Sequence, residues 1–220
     1  MKLKLLLIVV LLATLLSACG PSTPDFSGKW TANVGIVTLT QQEDKVTGSV
    51  EGYGGTWNFP LTGTVSGTIL TFEGETPLGP LAIVLSDDGK TFHSANPDAS
   101  FCGARDTVLP AGCGFSGNWQ ILSPLVPAGS VAKLTQTLSA VSGAVYGPDG
   151  AQIASLDATV NWGKGWQAVG VNEWGDFVLS MTASEKAFEL AAGGEFGKQW
   201  CGLREGEASA YVMYFTCAIP

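Results

Sequence analysis

The sequence predicts an all-β protein: an antiparallel meander folded into two tandem homologous small β-barrels, or into one barrel or sandwich built from two half-repeats. Three observations predict this class. The chain of 220 residues has 29 glycines and only 14% charged residues, a composition typical of short strands joined by tight turns. Short segments rich in β-branched and aromatic residues follow one another at even spacing. Finally, the second half of the chain repeats the first.

The repeat is most visible in the pentapeptide FSGKW at 26–30, which returns as FSGNW at 115–119. Further pairs of segments align in the same order: LTQQEDKVTGSV (39–50) with LTQTLSAVSGAV (134–145), VLSDDGKTF (84–92) with SMTASEKAF (180–188), and CGARD (102–106) with CGLRE (201–205). A repeat this long exceeds the usual solenoid unit and indicates duplication of a small domain or half-barrel. The predicted boundaries are 26–113 for repeat one and 115–220 for repeat two.

Eight segments of repeat one are predicted strands: GKWTANV, GIVTLTQ, KVTGSVEG, TWNFPLTG, GTILTFEG, PLAIVLS, KTFHSA and ASFCGAR. Most are bounded by Gly, Asp or Asn, as short strands in a meander are. Closing such a meander into a barrel removes its exposed edges. The stretch 182–194 has a composition that favours helix, but its counterpart in repeat one does not, so we predict a strand there too.

The N-terminus carries a targeting signal. Residues 1–18 combine two lysines with a run of apolar residues that is too short to span a bilayer, which is typical of a secretory signal peptide. The run ends in Leu-Ser-Ala-Cys at 16–19, which resembles the lipobox of bacterial lipoproteins. That resemblance implies cleavage before Cys19, acylation of Cys19, and a short linker over 19–25. The alternative is an ordinary secretory signal with Cys19 as a free thiol.

Lipidation implies that membrane lipid is one partner of the chain, bound through the acylated Cys19. The expected location is the cell envelope on the extracytoplasmic side, at the outer membrane if the host has one. The formal net charge is −8, and loss of Lys2 and Lys4 with the leader makes the mature chain more negative. Such a chain repels phosphate, which argues against a nucleic-acid partner.

A Gly-x-Trp near the start of each repeat and an arginine near its end resemble the signature of the calycins, the lipocalins, avidins and their relatives. The residues concerned are Trp30 and Arg105 in repeat one, and Trp119 and Arg204 in repeat two. The resemblance implies a small barrel in which the tryptophan packs across one end and the arginine lies on its face. A cation over an indole ring contributes about 0.5–2 kcal/mol.

Four cysteines remain after Cys19, and four cysteines allow three disulfide connectivities. The duplication selects one of them, Cys102–Cys113 with Cys201–Cys217, because each pair joins the cysteine of the repeated Cys-Gly-x-Arg motif to the next cysteine. An oxidising, extracytoplasmic location fits this assignment. The alternative is a metal site, but the closely spaced cysteines or accompanying histidines that such a site needs are absent. We therefore expect no metal and no cofactor.

No catalytic motif appears in the sequence. His93 is the only histidine, and it falls on a predicted strand at a position where repeat two has Glu189. Walker loops, HExxH and nucleophile elbows are missing. We expect no catalytic residues and no enzymatic activity.

Aromatic residues at hairpin tips are the candidate ligand-binding residues: Trp162, Trp166, Trp174, Tyr53 and Trp57. Trp162 and Trp166 flank a Gly-Lys-Gly turn, so they are either a cross-strand packing contact or a stacking platform for a sugar or an apolar ligand. The same alternatives apply to Tyr53 and Trp57. In the sequence alignment, Gly67 and Thr71 of repeat one correspond to Trp162 and Trp166.

These observations together predict a lipid-anchored, non-catalytic binding or interaction module. Its partner would be a small apolar molecule, a glycan or an envelope protein. An alternative is a lipid-anchored protease inhibitor, because small anchored barrels that resemble avidin include bacterial inhibitors. An enzyme is the third and least supported class.

Overall fold

The chain folds into two closed antiparallel β-barrels in tandem, as described by a computed structural model. The structure describes residues 24–55, 57–74, 76, 79–97, 99–161, 167–172, 175–182, 184–192 and 198–207. The two-barrel alternative of the predicted fold class is thereby confirmed. Within these residues, no helix is long and apolar enough to cross a membrane.

Barrel one is a simple eight-stranded meander that closes through pairing of its first and last strands. Its strands are β1 (Gly28–Ala32), β2 (Gly35–Gln42), β3 (Lys45–Gly52), β4 (Asn58–Ser66), β5 (Ile69–Phe72), β6 (Ala82–Leu85), β7 (Thr91–Ser94) and β8 (Gly103–Ala104). A short 3₁₀ turn, Tyr53–Gly55, follows β3. All eight predicted strands of repeat one are present, so this part of the prediction is confirmed.

Barrel two closes through β9–β17 and β10–β11 pairing. Its strands are β9 (Gly117–Leu122), β10 (Val131–Thr137), β11 (Ala140–Tyr146), β12 (Gln152–Ser155), β13 (Ala158–Asn161), β14 (Gln167–Asn172), β15 (Gly175–Met181), β16 (Ala187–Ala192) and β17 (Lys198–Arg204). The stretch 182–194 contains β16, which confirms strand over helix there.

Repeat two has an extra strand because one strand of the ring is interrupted. β11 pairs with β12 at Ala144↔Ser155 and with β13 at Val141↔Ala158. Leu156 and Asp157 separate the two pieces, which together occupy the place that β4 has in barrel one.

Each barrel has an interior filled by large apolar side chains. Barrel one buries Phe26, Trp30, Leu70, Ile83, Phe92 and Phe101, and barrel two buries Trp119, Leu156, Phe177, Phe188 and Trp200. Burial of this kind stabilises each side chain by about 1.5–3 kcal/mol relative to exposure.

The two ends of each barrel differ in what they contact. We call the end at which the first strand begins the entry end, and the opposite one the far end. In barrel one, residues 24–27 and the turn 86–90 lie at the entry end, whereas Asn33 and Tyr53 lie at the far end. Hydrogen bonds described below join the far end of barrel one to the entry end of barrel two.

Candidate functional site

The repeated pentapeptide forms the same structure at the entry end of both barrels. The Trp30 indole N–H donates to the carbonyl oxygen of Phe26 at 2.9 Å, and Trp119 donates to Phe115 at 3.0 Å. Both tryptophans are fully buried. Each indole therefore closes the entry end with its polar atom satisfied by the first residue of its own pentapeptide.

An arginine covers each tryptophan. The guanidinium carbon of Arg105 lies 4.0 Å from the centre of the Trp30 ring, and that of Arg204 lies 4.1 Å from the Trp119 ring. The structure thus brings together the residues that the sequence paired. The glycine between Ser and the variable residue leaves the necessary space: a Cβ at Gly28 would lie 2.8 Å from Arg105, and its φ is +119°.

Each arginine also donates three hydrogen bonds to backbone carbonyl oxygens. Arg105 bonds Asp25, Ser27 and Gly89, at 2.7–2.8 Å. Arg204 bonds the corresponding carbonyl groups at 2.7–2.9 Å, which belong to Gly114, Ser116 and Glu185. A planar guanidinium suits this role, because its donors are fixed in a fork.

Sequence reasoning missed one pair of residues in this network. The side-chain oxygen of Gln41 accepts the backbone N–H of Phe26 at 2.9 Å, and Gln136 accepts that of Phe115 at 3.0 Å. The signal was available, since the aligned Leu-Thr-Gln segments carry this glutamine in both repeats. These glutamines position the pentapeptides in both barrels.

The cysteine pairing predicted for repeat one is present, with a disulfide between Cys102 and Cys113. It joins the start of β8 to the segment that leads into barrel two. Cys201 is also disulfide-bonded. Its predicted partner, Cys217, lies outside the described residues, as does Cys19.

Tyr53 is a packing residue, so its assignment as a ligand-binding candidate is corrected. It is 8% exposed and belongs to the apolar cluster of barrel two. Its hydroxyl donates to the carbonyl oxygen of Ala32 at 2.7 Å. Trp57, the other candidate of this pair, is half-buried and stacks on Phe59, with 5.3 Å between the ring centres. The structure therefore does not place Tyr53 and Trp57 together as an open platform.

The junction between the barrels contains a buried carboxylate that sequence reasoning also missed. Glu185 is 2% exposed. It accepts a hydrogen bond from the Asn33 side chain of barrel one, and another from the backbone N–H of Gly114 at 2.6 Å. Asn33 is itself held by the backbone of Ser100 and Cys102. Donors from barrel one and from the connecting segment thus converge on one side chain of barrel two.

Glu185 occupies the position that a glycine has in barrel one. Gly89 and Glu185 have φ values of +68° and +55°, and each carbonyl oxygen accepts from the arginine of its barrel. A glutamate in the left-handed region is strained, by about 1 kcal/mol. Both strain and burial oppose this residue, so its contacts with barrel one must compensate for them. The signal in the sequence was the replacement of a turn glycine by glutamate.

Burial raises the pKa of the Glu185 carboxyl above its ordinary value near 4.5. The hydrogen bonds from Asn33 and Gly114 and the charge of Arg204 oppose that rise. Arg204 is in turn affected: its own burial lowers its pKa, while Glu185 and Glu207 raise it. The folded protein therefore binds a proton at Glu185 more readily than the unfolded chain does.

We predict a pH-dependent difference in stability between the wild type and Glu185→Gln. Because the folded pKa is raised, the contribution of Glu185 is fully present below its ordinary pKa and falls as pH rises through the folded pKa. The free energy of unfolding of the wild type, minus that of the variant, should therefore decrease as pH rises above about 4.5 and then level off. Denaturant unfolding at several pH values between 4 and 8 measures it. A difference that grows with pH would contradict the assignment.

A polar cleft of about 210 Å³ lies at the junction and includes His93, Ser100, Glu185 and Arg204 in its lining. His93 is exposed on β7 and pairs with Val84 across the sheet. Among the described residues, no group of three or more His, Cys, Asp or Glu could hold a metal ion.

The outer face of barrel two differs from that of barrel one around β14. Strand pairing sets the equivalence, since Val65↔Leu70 in barrel one matches Val160↔Ala168 in barrel two. By this register Thr71 corresponds to Val169, and not to Trp166 as the sequence alignment suggested. Five residues connect β13 to β14, whereas two connect β4 to β5, so a gapless sequence alignment loses the strand register across this connection.

Trp162, Trp166 and Trp174 lie outside the described residues. Residues 162–166 connect β13 to β14, and residues 173–174 connect β14 to β15. The assignment of the three tryptophans as candidate ligand-binding residues therefore stays a prediction. The residues that the structure does place on the outer face of β14 are valines.

Val169 and Val171 are 37% and 68% exposed. On the neighbouring strand, Val178 lies directly opposite Val169. We call Val169, Val171 and Val178 the valine face. Their counterparts in barrel one are Thr71, Glu73 and Ala82, as the pairing of β5 with β6 and of β14 with β15 shows.

Comparison of the chain with protein-family models, with curated proteins and with solved structures finds no match.

Proposed function

We propose that this protein is a lipid-anchored, non-catalytic binding module of the cell envelope, and that barrel two makes the contact with its partner. The observation that carries the proposal is an asymmetry between duplicated barrels. Residues that build the barrels are equivalent in both, whereas the valine face exists only in barrel two. Since the fold forms in barrel one without outward valines at these positions, folding alone does not explain them.

The anchoring part of the proposal rests on the lipobox and on where barrel one begins. Only four residues lie between Cys19 and Pro24, the first described residue, so the five steps from Cys19 to Pro24 reach about 17 Å when fully extended. Arg105 fixes the next residue, Asp25, at the entry end of barrel one. An acylated Cys19 would therefore hold that end near the membrane and leave barrel two farther from it. Two or more acyl chains suffice for stable anchoring.

We predict that Cys19→Ser abolishes lipidation, because acylation in this motif requires the thiol. The variant should accumulate as uncleaved precursor or leave the membrane fraction, and it should not incorporate a labelled fatty acid. Cys102→Ser is the matched control: it also replaces one cysteine by serine and opens the Cys102–Cys113 disulfide, but it lies outside the lipobox and should retain the label. Label that persists in the Cys19 variant would contradict the anchoring.

The binding function is tested on the full lipidated protein. We expect native mass spectrometry of material purified from host membranes, together with chemical cross-linking in intact cells, to show a bound molecule or a protein partner. Only the bare mass, with no cross-linked complex in cells, would contradict the proposed function.

A further inference from the structure

We propose that the valine face docks an envelope protein whose contact surface has an apolar centre and a rim of lysine or arginine. This inference rests on the proposed function and identifies the partner class of the same surface. Val169 and Val178 are adjacent on neighbouring strands, so their side chains contact each other on the outer face of the sheet. Val171 lies two residues further along β14 and extends the apolar strip.

In barrel one the position equivalent to Val171 belongs to a chain of polar contacts, whereas the next rung of the same face carries Ile69, 40% exposed, opposite Val84. Lys45 donates to the hydroxyl of Thr64 at 3.0 Å, and that hydroxyl donates to the carboxylate of Glu73 at 3.1 Å. In barrel two, register equivalence replaces Lys45 with Ala140 and Glu73 with Val171. The polar chain is therefore lost, and an apolar side chain stands in its place with most of its surface exposed.

Carboxylates surround the valine face. Asp176 lies directly opposite Val171, and Asp157 immediately precedes the Ala158↔Gly170 pair on the other side of β14. Both are exposed, and Glu189 lies further along the same face, opposite Ser180. Between residues 152 and 182 the sequence has no arginine and one lysine, Lys164, which lies outside the described residues.

This charge distribution decides between possible occupants. An anionic membrane surface would be repelled by the carboxylates, and a second copy of this chain would bring like charges together, which costs several kcal/mol at an interface. A partner protein with basic residues around an apolar centre complements both features. Its association should weaken as ionic strength rises, because exposed charge pairs are screened.

The test places a photoreactive amino acid at position 171 of the full-length protein in its host. The matched control carries the same amino acid at position 73, the equivalent site in barrel one. We expect a protein adduct at 171 and at least tenfold less at 73. The partner peptide in the adduct should contain lysine or arginine close to apolar residues.

A second variant, Asp157→Lys with Asp176→Lys, tests the charge requirement at surface positions. It should reduce the adduct at least tenfold while circular dichroism and the melting temperature remain those of the parent. Adducts to lipid or to a second copy of the chain would overturn the proposal, and so would an adduct unaffected by charge reversal. A complex that forms in cells without an adduct at 171 would refute the docking role of the valine face but leave the proposed binding function standing. The absence of any complex and of any bound molecule would refute both proposals.

Discussion

Trp119→Ala is expected to lower the free energy of unfolding of barrel two by about 3–5 kcal/mol, the range for large buried aromatic side chains. Trp119 is fully buried, lies 4.9 Å from the Phe188 ring in an edge-to-face contact, and is covered by Arg204. Its removal opens a cavity at the entry end and leaves the Phe115 carbonyl oxygen without its donor. Denaturant unfolding monitored by circular dichroism measures the loss.

Trp57→Ala is the control, because Trp57 is only half-buried and contacts one aromatic ring. We expect it to cost less than half as much. Trp30→Ala should destabilise barrel one by an amount similar to the effect of Trp119→Ala on barrel two, since each tryptophan donates to the first residue of its pentapeptide and is covered by the arginine of its own barrel. An unchanged stability in Trp119→Ala would show that the entry end closes without it.

Glu185→Gly is expected to remove the side-chain hydrogen bonds at the junction between the barrels and to lower the free energy of unfolding. The local turn of barrel two should stay intact. Glycine is the residue that barrel one has at this position, and it adopts the left-handed conformation without strain. The arginine bond to the backbone carbonyl can persist, but Asn33 and Gly114 lose their acceptor. Hydrogen bonds to a charged group contribute about 1.5–3 kcal/mol each, and relief of both the backbone strain and the carboxylate burial offsets part of their loss, so we expect a net loss of about 1–3 kcal/mol.

A double-mutant cycle with Asn33→Ala isolates the contact across the junction. We expect a coupling of about 1 kcal/mol or more between positions 33 and 185, because the two side chains share a hydrogen bond. Glu43→Gly is the matched control: Glu43 has the same φ of +55° but is exposed in a hairpin turn. It should be neutral or stabilising and should not couple to Asn33. Loss of stability in Glu43→Gly equal to that in Glu185→Gly would refute the role of the carboxylate.

The duplication explains why much of the fold could be predicted. Each barrel is closed by the same local contacts, so every residue that these contacts need occurs twice in the sequence. This applies to Trp30 with Trp119, to Arg105 with Arg204, and to Gln41 with Gln136. The eight strands of repeat one could be predicted for a related reason, since β-branched residues and turn glycines act locally.

The aromatic candidates show where this reasoning fails. Tyr53 reads as a hairpin-tip residue, but packing against barrel two buries it, and such packing is invisible in the local sequence. The alignment of Thr71 with Trp166 failed because a turn length changed, and only strand pairing reveals that Thr71 corresponds to Val169. Register in a sheet depends on the partner strand as well as on the sequence itself.

The sequence by itself determined the duplication, the strand order of repeat one and the pairing of tryptophan with arginine, because these depend on local propensity and on comparison of one repeat with the other. Only the tertiary structure decided the junction at Glu185 and the outward valines of β14. The junction occurs once, so no second copy in the sequence points to it, and Asn33 and Glu185 meet only when both barrels are folded. The valine face likewise exists only because strand register turns Val169, Val171 and Val178 to the outside of one barrel, among carboxylates.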